Sequence, residues 1–136
     1  MNTKEDCAKS GDPSESGEGS NHREPMVLDY EKGLEQVGGD ESLLKEVLGI
    51  FIEDVPRKLS ELREGLMQED REKIRRAGHS LKGASANIAA DAVQKVAFDI
   101  EKMAAESDFD TIRETIGLLE DEIGKLQAAI DLVLGK

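Results

Sequence analysis

One histidine in this sequence stands where its ring could take part in a reaction. The run "AGHSLKGASANIAA", residues 77–90, places His79 one helical turn before a Lys82-Gly83 pair, with Arg75 one turn ahead of it. A neutral imidazole has an ordinary pKa near ~6.5, so much of it is available as a nucleophile at neutral pH. Flanking cations disfavour the imidazolium and attract an incoming phosphoryl group. Phosphoryl transfer depends mainly on positioning and on electrostatic stabilisation of the equatorial oxygens. Taken singly, an exposed His, Lys or Arg on a helix is ordinarily just solvated. The set together points to His79 as a phosphoryl acceptor with Lys82 and Arg75 steadying the phosphoryl group.

The element that carries the histidine is a helix. Asp70 can cap it, and it reaches about Asn87, with Ile74, Ala77, Leu81, Ala84, Ser85 and Ile88 on one side. At about 100° per residue the apolar set centres near Leu81, and His79 projects roughly 160° away from it, towards water. Gly83 follows one turn beyond His79 on the same face and Ala86 two turns beyond. A helix interior does not favour Gly. Ground this bare beside the imidazole is suited to the close approach of another surface.

Three further amphipathic segments and a short one must position that helix. "VLDYEKGLEQVGGD" reads as a short helix stopped by Gly38 and Gly39, with Asp40 capping the next. The second runs from about Asp40 to Leu66 on a stripe of Leu44, Val47, Leu48, Phe51, Val55, Leu59, Leu62 and Leu66. Pro56 inside it is expected to bend or split it. Asp91, with Gln94 three residues on, suggests a capping-box variant for a helix burying Val93, Val96, Ala97, Ile100, Met103 and Ala104. The last helix carries Ile112, Ile116, Leu119, Ile123, Leu126, Ile130 and Val133; Gly117 and Gly124 fall off its stripe, and nothing in the pattern explains them. The economical way to bury four such stripes is an all-α fold, an antiparallel up-down four-helix bundle with the short extra N-terminal helix over one end. The domain is expected over residues 26–136, after a polar, acidic tail or linker at 1–25 that contains Ser14 and Ser16.

Composition closes off other classes. A net charge of −12 and the lack of a basic stripe argue against nucleic acid and against anionic membrane surfaces. No run of about 18 apolar residues could span a bilayer, and the first 25 residues have no secretory apolar core. Cys7 is the only cysteine, so neither an internal disulfide nor a thiolate metal site can form. A cytoplasmic protein is expected. A bundle-core metal site would need Glu-x-x-His pairs that the sequence lacks, so no metal and no other cofactor is expected on this chain.

The run "AGHSLKGASANIAADAV" resembles the signature of histidine-containing phosphotransfer (HPt) domains, in which a His-x-x-Lys-Gly core precedes small residues and an apolar position. "FIEDVPRKLSELREGLMQED" is similar to the family's preceding helix, and the likeness extends over roughly residues 29–130. It implies that His79 is the phosphoacceptor, that Lys82 assists electrostatically, and that Gly83 leaves room for a receiver domain's active-site rim. Family members often carry a Glu or Gln on the following helix that hydrogen-bonds the ring, and Glu101 occupies that position. Its role would be to hold Nδ1–H and leave Nε2 as the attacking atom. Ala89-Ala90 stands where many members have a Gly.

Phe98 projects from its helix on the side shared with Gln94 and Glu101. It either joins Gly83, Ala86 and Gln94 in a docking surface or packs under a neighbouring helix. The expected function is a phosphorelay intermediate, a monomer and not an enzyme, that receives a phosphoryl group from one receiver-domain aspartate and passes it to another. Its partners would be response-regulator receiver domains or a hybrid histidine kinase, with any Mg²⁺ supplied by the receiver. The alternatives are the phosphoacceptor domain of a larger hybrid or chemotaxis-type kinase and a helical interaction module without chemistry.

Overall fold

The computed structural model describes residues 25–135; Cys7, Ser14, Ser16 and nearly all of the expected tail lie outside the described residues. Within them the chain forms five helices and no strand: α1 (Tyr30–Gln36), α2 (Glu41–Met67), α3 (Arg71–Asn87), α4 (Asp91–Met103) and α5 (Phe109–Leu134).

The helices begin and end where local chemistry allows. Asp29, Asp40, Asp70 and Asp108 each accept a hydrogen bond from a backbone N–H of the first turn, at 3.1, 3.1, 3.1 and 2.7 Å. Each satisfies a donor that the helix cannot satisfy itself and adds negative charge at the positive end of the dipole. Asp91 does not cap α4. The cap position is Ala90, which has no side-chain bond to offer, and the Asp91 carboxylate instead pairs with Lys32 Nζ at 2.9 Å. Pro56 does not split α2, which runs unbroken from Glu41 to Met67 with the proline on its exposed side.

The ends of α1, α2 and α3 share one device. Gly39, Asp70 and Ala90 donate to the carbonyls five residues back, on Leu34, Gly65 and Ser85, at 2.8, 2.8 and 2.9 Å. The residue before each donor is left-handed: Gly38 at φ 70°, Glu69 at φ 52° and Ala89 at φ 58°. This is the Schellman arrangement, and Gly is its natural occupant. Ala89 tolerates the strained conformation because its methyl is fully buried beneath α1, near Gly33.

The apolar stripes meet in one core. Leu44, Leu48, Leu62, Ile74, Leu81, Ile88, Ile100, Ile112, Ile116, Leu119, Leu126 and Ile130 are almost wholly shielded from water. Val47, Leu59, Ala84, Val96, Met103 and Val133 flank it half-buried. Helix α2 packs on α3, α3 on α4, α4 on α5, and α5 back on α2. Helix α1 lies over the α3–α4 turn, held by Asp29 N–H donating to Ala89 O at 3.0 Å.

Polar ties brace the ring. Arg63 and Glu120 pair between α2 and α5. Arg71 donates to Ala104 O and Ser107 O, at 3.2 and 2.8 Å, and stacks over the Phe109 ring, fixing the α4–α5 turn to α3. Gly117 and Gly124 face open space, and nothing in the structure explains them.

Glu69 is exposed, so its left-handed backbone is not offset by buried contacts. Glu69→Gly should raise stability by about 0.5–1 kcal/mol, read from the urea midpoint at unchanged slope. A lower midpoint would contradict this account of the α2 terminus.

Candidate functional site

Helix α3 presents His79 outward, its side chain 62% exposed. The ring is nevertheless anchored. Its Nδ1 lies 2.9 Å from Glu101 Oε2 on α4, and the second carboxylate oxygen, Oε1, lies 2.9 Å from Lys82 Nζ. The Lys82 contact is an ion pair rather than a well-directed hydrogen bond, since Oε1 has no bond of good geometry. One carboxylate therefore serves the imidazole and the ammonium together.

The charge state of Glu101 decides how the contact reads. Lys82 and then His79 draw its pKa below the ordinary glutamate value, with burial of the carboxylate opposing them. An ionised carboxylate only accepts, so Nδ1 must donate. The proton is then fixed on Nδ1, and in the neutral ring Nε2 carries the free lone pair. No hydrogen bond to Nε2 exists among the described residues.

The close approach of α3 and α4 makes this contact possible. Gly78 on α3 faces Ala97 and Glu101 on α4, and Gly78 and Ala97 are both buried. The buried Ser85 hydroxyl is satisfied within its own helix, donating to Leu81 O at 2.7 Å. Small side chains let the backbones come near, and a carboxylate one layer up then reaches the ring.

The other expected site residues surround this triad. Gly83 is exposed, and a Cβ built on it would meet nothing within 4 Å. Ala86 is half-buried one turn on. Phe98 is 42% exposed, so it is not tucked under a neighbouring helix. Two ammonium groups lie over its ring, Lys82 at 4.9 Å and Lys102 at 4.5 Å from the centroid. Phe98 also lines a shallow groove with Pro25, Lys82, Asp91, Gln94 and Lys95. Arg75 is on the same helix, with its guanidinium engaged by Glu72 through bonds of 2.9 and 2.6 Å.

Two residues beside His79 escape the sequence reading. Lys58 is a buried lysine on α2 that pairs with Asp54 at 3.1 Å and donates to Ser80 Oγ, bracing α3 next to the histidine. Its signal is positional, because it falls on the apolar stripe between Val55 and Leu62. Gly78 is the other, and its place is set by contacts that no helical wheel records. Among the described residues there is no cluster of His, Cys, Asp and Glu fit to hold a metal, and no helix long and apolar enough to cross a membrane.

The depressed Glu101 pKa has a measurable consequence. Its contribution to stability is fully present above the unfolded value near ~4.3 and is lost as pH falls through the lower folded value. Acid titration from pH ~5 to ~3 should therefore erode wild-type stability more than that of Glu101→Gln. Parallel acid limbs for the two proteins would contradict the charged triad.

Comparisons with known proteins agree with this architecture. The family model described as "Hpt domain" matches residues 46–129. The HPT domain of a sensor hybrid histidine kinase from Shewanella superposes with a TM-score of 0.70 at 23% identity, covering 80% of this chain and 94% of that one. Histidine-containing phosphotransfer protein B from Pseudomonas aeruginosa gives 0.72 at 22% identity, covering 78% and 92%. No curated protein matches. With a family model spanning more than half its length and a helical ring that presents a carboxylate-held histidine, the chain belongs to the Hpt domain family, the histidine-containing phosphotransfer modules of two-component signalling.

Proposed function

We propose that this protein is a phosphorelay intermediate in which His79 is the phosphoacceptor. The observation that carries the reading is the pairing of an exposed imidazole with an ionised Glu101 at 2.9 Å on Nδ1. That contact orients the ring and leaves Nε2 as the nucleophile.

Transfer begins with Nε2 facing the phosphorus of an aspartyl phosphate on a receiver domain. The N–P bond forms as the acyl phosphate P–O bond breaks, and the electron pair returns to the aspartate carboxylate. The Nδ1 proton stays in place throughout. The ring becomes cationic as it takes the phosphoryl group, and the Glu101 carboxylate offsets that charge. Lys82 stands beside the same carboxylate and is placed to turn towards the phosphoryl oxygens. Arg75 adds positive charge one turn away, shared with Glu72. The reverse displacement hands the group to the aspartate of a second receiver.

The surrounding surface suits a visiting domain. Gly83 and Ala86 leave flat ground beside the ring, and Phe98 with Gln94 offers an aromatic and a polar contact on the α4 side. The ring of packed helices with connections at residues 68–70, 88–90 and 104–108 supports an antiparallel, up-down bundle as the scaffold. In this reading the protein is a cytoplasmic monomer that binds no nucleotide or metal of its own, and Mg²⁺ arrives with the receiver. The Shewanella relative is a domain of a hybrid kinase, which favours a second context for the same chemistry: loading of His79 within, or by, such a kinase.

The direct test mixes a phosphorylated receiver with wild type and with His79→Gln. Acid-labile label on wild type alone is expected; equal label on both proteins would overturn the assignment. Lys82→Ala should slow transfer at least tenfold while leaving helicity intact, since Lys82 lies outside the core. Gly83→Gln should be more stable by up to ~1 kcal/mol, because Gly is a poor helix former, yet transfer more slowly. Normal transfer by that variant would refute the bare docking ground.

A further inference from the structure

Gly78 precedes the histidine and is buried where α3 crosses α4. A Cβ at this position would lie 3.2 Å from Ala97 O, 3.2 Å from Glu101 N and 3.4 Å from Glu101 Cα. All three atoms are backbone, so the partner helix rather than a flexible side chain would have to move. Four other helical glycines behave differently: at Gly49, Gly83, Gly117 and Gly124 a Cβ would meet nothing within 4 Å. Of the two neighbouring atoms on α4 that crowd Gly78 most, one belongs to the residue whose carboxylate holds the ring.

We propose that Gly78 is a positioning residue for the phosphotransfer site: by carrying no Cβ it lets the Glu101 backbone approach α3 closely enough for the carboxylate to hold Nδ1–H of His79. The role rests on the reading of His79 as the acceptor but is exerted through Glu101. The contact at 2.9 Å has an ordinary hydrogen-bond length, and at about 3.6 Å it would no longer be a hydrogen bond. A few tenths of an ångström of separation between α3 and α4 is enough to lengthen it, and a larger side chain enough to part it. The ring then loses its orienting carboxylate and relaxes towards its other tautomer, with the proton on Nε2 and the nucleophilic lone pair removed from the exposed side. Lys82 loses the anchor that keeps it beside the ring.

Alanine is the better helix former, so Gly78→Ala is expected to keep the fold, and Gly78→Val enlarges the same perturbation. The readout is the tautomer of His79 in the full chain, from two-dimensional ¹H–¹⁵N spectra of the imidazole at a pH where the ring is neutral. Wild type should show Nδ1–H. Gly78→Ala should shift the population towards Nε2–H, and Gly78→Val further. Glu101→Ala should produce the same shift, and Gly78→Ala added to Glu101→Ala should change nothing more. Retention of the wild-type tautomer in both Gly78 variants, or an equal further shift in the Glu101→Ala background, would overturn the proposal. The spectra require no receiver and no phosphodonor, so their outcome is independent of the transfer assay. Loss of the Gly78 effect leaves the acceptor role of His79 standing, and a silent transfer assay leaves the tautomer result standing.

Discussion

The structure depends on a carboxylate shared between two groups on a neighbouring helix. Glu101 reaches from α4 to accept from His79 Nδ1 with one oxygen and to pair with Lys82 through the other, both at 2.9 Å. A lone histidine this exposed would sample both tautomers and many orientations. The shared carboxylate fixes the proton on one nitrogen, aims the other at solvent, and keeps an ammonium within reach of anything that arrives there. Much of the rest of the molecule serves to bring that carboxylate to that ring.

The bundle achieves this by unequal packing. Where α2 and α5 contribute large side chains such as Leu48, Leu62, Ile116 and Leu126, α3 meets α4 beside the histidine through the small residues Gly78 and Ala97. Large residues hold helices apart and small ones let them approach, so the site lies at the narrow side of the bundle. The ends of that side are secured separately. The Schellman turn at Ala89 and Ala90 fixes the α3–α4 connection beneath α1, and Arg71 fixes the far end through Ala104 O and Ser107 O. Lys58 braces the outer flank of α3 from α2, next to the histidine. His79, Lys82 and Glu101 thus stand on helices rather than on loops, which keeps their mutual geometry fixed.

Much of this was legible in the sequence, and the residues show why. The stripes of α2 to α5 follow the helical repeat closely, and Leu81 and His79 fall on opposite faces as their spacing demands. Glu101 came only through the resemblance, because its link to His79 crosses two helices and no local spacing encodes it. The Asp91 cap failed by one residue: α4 begins at Asp91 with Ala90 in the cap position, and the Asp91 carboxylate pairs with Lys32, distant in sequence. Pro56, expected to bend or split α2, does not split it, since the proline sits on the outer face of a helix held by its neighbours. Lys58 interrupts the apolar stripe of α2, whereas the meaning of Gly78 lies only in what faces it. Arg75 could have been paired with Glu72 from its i,i+3 spacing alone.

The central claim is that Nδ1 is held and Nε2 reacts. It is tested most directly by ¹⁵N and ³¹P spectra of the phosphorylated protein, which identify the nitrogen bonded to phosphorus. The account predicts phosphorus on Nε2 of His79, with the Nδ1 proton still present and slowed in exchange by Glu101. Phosphorus on Nδ1, or on a residue other than His79, would contradict it.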